Sequence, residues 1–163
     1  MKVLNQILSK IIDRKDLSRL IQELKSQNKT IVFSNGCFDL VHRGHVEYLA
    51  KAADLADVFI LGLNTDQSVS RLKGSQRPLQ DQEARAILMA GFSFIDYVIL
   101  FDEDTPLELI TAVQPNVLVK GNDYKIEDVV GYDIVKKNNG IVQTIELTDG
   151  YSTSRIIDKI KKS

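Results

Sequence analysis

Apolar residues in the first part of the chain fall at Val3, Leu4, Ile7, Leu8, Ile11 and Ile12, and again at Leu17, Leu20, Ile21 and Leu24. That spacing is close to the roughly 3.6-residue period of a helix with one apolar face, and it predicts a helical segment over residues 1–28 appended to the rest of the chain. The pattern then changes. Thr30-Ile31-Val32-Phe33 is a short apolar run stopping at Ser34-Asn35-Gly36, as expected of a buried first strand and a tight turn. A helix is expected over 44–55, and residues 57–63 give a second buried strand. Strand, helix and strand in that order require parallel strands joined by a right-handed crossover. A polar, basic loop over 71–77 leads to a helix over 81–91, and 97–101, 116–120 and 141–145 supply further strands. Thr105 as cap and Pro106 as first helical residue open another helix, and Ser152 or Thr153 caps a last one running towards Lys159. The predicted class is α/β, a Rossmann-like, doubly wound parallel sheet, with no internal repeat and no low-complexity segment.

Composition narrows the functions open to such a sheet. A chain of 163 residues suits one domain, and 44% hydrophobic with 26% charged residues is the mix of an ordinary globule. Lys+Arg 21 against Asp+Glu 22 gives a formal net charge of -1, which removes the broad attraction that non-specific binding to nucleic acid or an anionic membrane requires. Neither partner is expected, and any phosphate chemistry must be local. Charges interrupt the apolar residues of the start too often for a signal peptide, and no run approaches the ~20 apolar residues of a membrane span. The single cysteine, Cys37, forms no intramolecular disulfide, so a cytoplasmic location is expected.

The chemistry concentrates in Gly36-Cys37-Phe38-Asp39-Leu40-Val41-His42-Arg43-Gly44-His45, where the first strand turns into the first helix and where open α/β sheets bind ligands. The chain has 2 histidines and both fall here. Imidazoles at i and i+3 near a helix start can point the same way, Gly44 lets a ligand approach the backbone, and free N–H groups there favour anions. The plain alternative is a turn glycine between surface histidines. A zinc site from Cys37, Asp39, His42 and His45 uses acceptable ligand types, but the spacing matches no established zinc pattern.

This Gly-x-Phe-Asp-x-x-His-x-Gly-His segment resembles the signature of the α/β-phosphodiesterase nucleotidylyltransferases, and so implies a sheet of the HxGH nucleotidylyltransferase type. Further matches are Asn64-Thr65-Asp66, Arg71-Leu72-Lys73-Gly74, Arg77-Pro78, Phe101-Asp102-Glu103-Asp104-Thr105-Pro106, Lys120-Gly121-Asn122-Asp123-Tyr124 and Gly150-Tyr151-Ser152-Thr153-Ser154. Together they resemble the D-glycero-β-D-manno-heptose 1-phosphate adenylyltransferase family over residues 29–161, in which the domain is fused to a heptose kinase or stands alone; this chain would be the stand-alone form. The resemblance implies an N-terminal extension over 1–28 and a nucleotidylyltransferase domain over 29–163. It also implies ATP and a sugar 1-phosphate as substrates, Mg²⁺, ADP-heptose and pyrophosphate as products, a role in lipopolysaccharide or surface-glycan precursor synthesis, and a homodimer.

By the same resemblance, His42 and His45 donate hydrogen bonds to the triphosphate and Lys73 reaches both the α-phosphate and the incoming sugar phosphate. Nucleotide contacts are expected at Asn35, Gly36, Cys37, Phe38 and Gly44, at Lys120, Gly121 and Asn122, and at Gly150, Tyr151, Ser152, Thr153 and Ser154. No magnesium ligand is identifiable; Asp39 is a candidate, and an acid that orients the turn is the alternative. Asp66 and Arg85 are weaker candidates, for which helix capping and surface pairing are alternatives. A cytidylyltransferase for a small alcohol phosphate such as glycerol 3-phosphate is the competing enzyme. Against it, Leu147 stands where that branch carries an arginine, and Ser93-Phe94-Ile95-Asp96 where it carries Arg-Tyr-Val-Asp. Asn122 and Ser154 replace a glycine and a threonine of the heptose branch. A non-catalytic nucleotide-binding module is the reading from a different class.

Overall fold

The computed structural model describes residues 1–122 and 125–163. A six-stranded, wholly parallel sheet runs in the order β1 (Ile11–Ile12), β4 (Tyr97–Phe101), β3 (Val58–Asn64), β2 (Ile31–Gly36), β5 (Val117–Gly121), β6 (Ile141–Ile145). The chain moves from β2 outward through β3 and β4, then returns to the other side of β2 to lay down β5 and β6. The direction of winding therefore reverses between β2 and β5, the switch point at which a crevice opens beyond the carboxyl ends of the strands.

Both faces are covered, which is why β3 is buried at every position and carries only apolar residues before Asn64. One face holds α2 (Leu17–Ser26), α6 (Leu107–Val113) and α7 (Tyr132–Lys137), whose Ile21, Leu109, Ile110 and Val135 pack on Phe33, Ile60 and Leu118. The other holds α3 (Arg43–Ala53) and α5 (Gln82–Ala90), with Leu49 and Met89 on Phe59, Leu61 and Val119. Phe33 and Phe59 thus point to opposite sides from neighbouring strands, as the pleat requires.

Several expectations need correcting. Residues 1–28 are not one helical segment: α1 (Lys2–Leu8) is followed by β1, which pairs with β4 through Ile11 and Val98, and α2 then buries Leu17, Ile21 and Leu24 in the core. Ser34-Asn35-Gly36 is not a turn but the end of β2, with Asn35 opposite Gly62 and Gly36 opposite Leu63. Arg71 and Lys73 do not lie in a loop; they end α4 (Asp66–Lys73), which Thr65 caps by accepting from the Ser68 amide. The α6 helix is preceded by Pro106 as its cap, with no side-chain capping bond from Thr105. The expected cap of the last helix is borne out: the Ser152 hydroxyl accepts from the Arg155 amide at the start of α8 (Thr153–Lys162), which runs past Lys159.

Candidate active site

The site is assembled at the carboxyl edge of the sheet, around the end of β2. Beyond Gly36 the chain enters a left-handed turn at Phe38 (φ 44°), and a side chain on Gly36 would meet the Phe38 ring at 2.9 Å. The turn delivers His42 to the N-cap of α3 and His45 to its first turn. Their rings stack, 3.8 Å between centroids and 19° from parallel, and Phe38 meets His45 edge-on at 5.2 Å. Gly44 is buried between them; a β-carbon there would lie 3.2 Å from His42 Nδ1 and 3.3 Å from Tyr151 Cβ, tight contacts that would require the His42 ring or Tyr151 to move by a few tenths of an ångström.

Burial decides the charge of this pair. Desolvation holds His42 below the usual imidazole range. For His45 desolvation again dominates, and repulsion from His42 and Lys73 adds to it, so that its pKa falls to about 4 despite an opposing backbone interaction at Leu40. Both rings are neutral at neutral pH, and each offers one N–H donor. Two neutral donors side by side suit an oxygen that gains charge as a bond breaks, since they need not be desolvated as cations beforehand.

Two further side chains fix the turn. Asp39 is buried, and its carboxylate accepts from Arg77 Nε at 2.5 Å and from the amides of Leu79 and Gln80 at 2.7 and 3.0 Å. Burial raises the Asp39 pKa, but these donors outweigh it and hold the group below the usual carboxylate range. Its oxygens are thereby committed to orienting the turn. Arg85 is wholly buried rather than surface-paired: Nη1 donates to the carbonyls of Cys37 and Asn64, Nε to that of Gln80, and Nη2 to Asp66. Asp66 serves that arginine and is not the helix cap.

A cavity of about 200 Å³ collects most of the expected residues. Asn35, Gly36, Cys37 and Phe38 line it from β2 and the turn, His45 from α3, and Lys73 from the end of α4. Lys120 and Gly121 enter from β5, and Thr153 from the start of α8. Lys120 Nζ donates to the Asn35 carbonyl at 3.4 Å, and Thr153 Oγ1 to that of Leu40 at 3.4 Å, which ties β5 and α8 to the histidine turn. Of the basic residues near α4, Arg71 is taken up by Asp102 and Asp104, and Arg77 by Asp39. Lys73 makes no ion pair among the described residues and faces the cavity beside His45.

Other expected residues stand outside this cavity. Gly150 (φ 86°) and Tyr151 lie at the loop before α8, where Tyr151 stacks under Arg43 at 5.5 Å and Ser152 is spent on capping. Ser154 is exposed and lines neither cavity beside β2. The Asn122 amide is used by the Ile145 carbonyl. Asp123 and Tyr124, at the end of the Lys120 motif, lie outside the described residues. Among the described residues no three His, Cys, Asp or Glu side chains are grouped to hold a metal, so the zinc reading of Cys37, Asp39, His42 and His45 is not realised. No helix among them is long and apolar enough to cross a membrane.

A parallel sheet whose switch point presents paired neutral imidazoles, a lysine and free strand ends defines the nucleotidyltransferase class of enzyme. Residues 33–159 match the cytidylyltransferase-like family, and the chain belongs to it. It is 55% identical over 152 residues to the bifunctional protein HldE of Trichlorobacter lovleyi, covering 93% of this chain and 31% of that protein. It is 54% identical over 147 residues to the bifunctional protein HldE of Campylobacter jejuni subsp. jejuni serotype O:2, covering 90% and 31%. The chain thus spans about a third of the length of these relatives. Among solved structures, the lipopolysaccharide core biosynthesis protein from Thermoplasma volcanium GSS1 matches with TM-score 0.59 at 23% identity, over 76% of this chain and 99% of that one. Pantoate-beta-alanine ligase from Francisella tularensis, complexed with beta-gamma ATP and beta-alanine, matches with TM-score 0.61 at 16% identity, over 94% and 78%. At such identities the likeness is one of fold.

Proposed function

We propose that the chain transfers the adenylyl group of ATP to D-glycero-β-D-manno-heptose 1-phosphate, giving ADP-heptose and pyrophosphate for a lipopolysaccharide or other surface-glycan precursor. The observation that carries this reading is the neutral His45, which lines the cavity with Lys73 at the switch point and on which His42, itself outside that lining, is stacked. The sugar is supported by the motif resemblance together with 54% and 55% identity to the HldE proteins.

The chemistry follows from charge. A non-bridging oxygen of the sugar phosphate attacks the α-phosphorus, a new P–O bond forms, and the bond to the α–β bridging oxygen breaks with its electron pair leaving on pyrophosphate. A phosphate monoester has a second pKa of about 6, so the nucleophile is already largely dianionic and needs no base. The protein must instead bring two anions together and neutralise the charge that leaves. Lys73 does the first by standing between the phosphates, and His42 and His45 do the second by donating to the departing oxygen. Asn35, Gly36, Cys37, Phe38, Gly44, Lys120, Gly121, the Asn122 side chain and the 150–154 segment are assigned to the nucleotide.

Mg²⁺ would come with the triphosphate and supply charge neutralisation when bound, since the described residues offer no cluster of ligands for it and Mg²⁺ commonly retains waters and takes most of its oxygens from phosphates. We assign transfer to residues 29–163, with 1–28 adding the edge strand β1 and the core-packed α2 to that domain, and a cytoplasmic homodimer as the working form, for which light scattering is the test of the dimer.

Incubation with each nucleoside triphosphate and heptose 1-phosphate, reading pyrophosphate, tests the assignment. Release with ATP is expected. Release with CTP alone, or with glycerol 3-phosphate in place of the sugar, would replace it by the cytidylyltransferase reading, which the apolar Leu147 lining the histidine cavity disfavours.

A further inference from the structure

Beyond Ile145, the last residue of β6, the chain leaves the sheet and passes beside the histidine turn before α8 begins at Thr153. Leu147 and Thr153 line the histidine cavity, and Tyr151 Cβ would lie 3.3 Å from a β-carbon at Gly44. Yet α8 contributes no buried residue, so this strap along the site is held without a core side chain of its own. Its pose has to be set by polar contacts.

Those contacts converge on one carboxylate. Glu47, on α3, accepts from the Thr148 hydroxyl through Oε2 and from Arg43 Nε through Oε1, the latter at 2.6 Å. Arg43 in turn brings Nη1 within 3.4 Å of the Tyr151 hydroxyl, with its guanidinium carbon 5.5 Å from the centre of that ring. Glu47 thereby holds the strap at two points, at Thr148 directly and at Tyr151 through Arg43. The Thr148 and Arg43 donors keep its carboxyl below the usual carboxylate range, so the group that accepts both bonds is ionised. The helix behind this hold is firmly seated. Leu49 and Ala52 of α3 are fully buried, and Tyr48 Oη lies 2.8 Å from Ser34 Oγ and donates to the Val119 carbonyl at 3.1 Å. Because His42 caps the same helix and His45 sits in its first turn, α3 fixes both the paired rings and the strap beside them.

We infer that Glu47 is a positioning residue for the nucleotide: it clamps the strap to α3 in the pose that presents residues 150–154 to ATP. This inference rests on the assignment of that segment to the nucleotide in the adenylyl transfer proposed above, and it adds what holds the segment in place. Glu47 itself touches no substrate. Its effect runs through the fraction of molecules whose strap is already in position, and apparent affinity falls in proportion to that fraction. A strap that meets ATP and the transition state equally alters binding without altering turnover. Loss of the clamp therefore weakens ATP and spares kcat. Folding should be little affected, since the Arg43–Glu47 pair is largely exposed and such pairs contribute little to stability.

Glu47→Ala, Thr148→Val and the double variant test the clamp, with the calorimetric Kd for ATP measured without sugar and kcat read from pyrophosphate release at saturating ATP and heptose 1-phosphate. Thr148→Val removes the hydroxyl and keeps the shape. The ATP Kd is expected to rise about 5-fold or more in each single variant, with kcat within about 2-fold of wild type. Both substitutions cut the same contact, so the double variant should lose little beyond Glu47→Ala. Thr148→Ser restores the hydroxyl and should return the Kd to within about 2-fold of wild type. An unchanged Kd in Glu47→Ala would overturn the clamp. A loss confined to Glu47→Ala, with Thr148→Val normal, would overturn it too, because the effect would then pass through α3 to the histidines; so would a kcat that falls in step with affinity. Failure of the reaction reads differently. Wild-type protein that binds ATP but releases no pyrophosphate with any sugar 1-phosphate would reject the transfer, while the comparison of Kd values would still decide the clamp.

Discussion

The guanidinium of Arg85 donates from one nitrogen to the carbonyl of Cys37 at 2.7 Å and to that of Asn64 at 2.8 Å. Those carbonyls lie just beyond β2 and at the end of β3, so a single side chain from α5 sets the spacing between the turn that leads to His42 and the helix that ends in Lys73. Arg85→Met would keep most of the volume and leave both carbonyls, the Gln80 carbonyl and Asp66 without this donor. Unpartnered buried acceptors of this kind cost about 1–3 kcal/mol each before relaxation, so a loss of about 3 kcal/mol in unfolding free energy is expected. A urea titration measures it, and an unchanged midpoint would show that these carbonyls find other donors.

The imidazole pair should behave differently, because it contributes to chemistry more than to the fold. His42→Asn and His45→Asn each keep a donor-bearing planar group of smaller reach, and the Nδ1 of His42 has no partner to lose. Each substitution is expected to lower kcat by about 10²–10³, the usual effect of removing one donor aimed at developing negative charge. Thermal unfolding should shift little. Pyrophosphate release under saturating substrates is the measurement, and kcat within about 2-fold of wild type would remove the pair from the mechanism.

Much of this is legible in the sequence. Residues 97–101 and 141–145 read as strands from their apolar runs and form β4 and β6. An unbroken apolar run bounded by polar residues leaves few options in a two-faced sheet. What escapes is structure without periodicity. A two-residue parallel strand at Ile11–Ile12 has no pattern of its own and is formed by pairing with β4, while α4 is too polar over Asp66–Lys73 to show an apolar face. The histidine turn stands out because its residue types are rare and close together. The role of Arg85 does not, since it depends on carbonyls distant in sequence; its place on the buried face of α5 with Ala86 and Met89 is the available signal. The hold of Glu47 on Thr148 is equally invisible, because the two stand 101 residues apart in the chain.

The depressed pKa of His45 has a consequence for stability. Its folded value of about 4 lies below the usual 6.5, so between these limits the unfolded chain takes up a proton that the folded one resists. Stability from this group is intact above about pH 6.5, declines as the pH falls, and is fully lost below about pH 4. Allowing for the partial exposure of the ring, the loss amounts to roughly 1–3 kcal/mol. Urea titrations at about pH 7 and about pH 5 should show it in wild type, and the drop should be smaller in His45→Asn. Equal drops in the two proteins would assign the acid sensitivity to other groups.

Lys73 and His45 are electrostatically coupled, and that coupling separates a catalytic lysine from a merely solvated one. Lys73 closes α4 before Gly74 (φ 95°), faces the histidine cavity, and contributes to holding down the His45 pKa. Lys73→Met removes the charge and keeps most of the length of the stem. Two effects should appear together. In the absence of nucleotide the His45 pKa, followed by ring-proton NMR, should rise, because a repelling charge has gone while the burial remains. At saturating ATP, kcat should fall by about 10²-fold or more, because the two phosphates are no longer brought together by a cation between them. A lysine that only decorates the end of a helix would give neither. A raised His45 pKa with normal turnover would place the charge near the ring but outside the reaction, and would return the approximation of the two anions to Lys120 and the backbone amides.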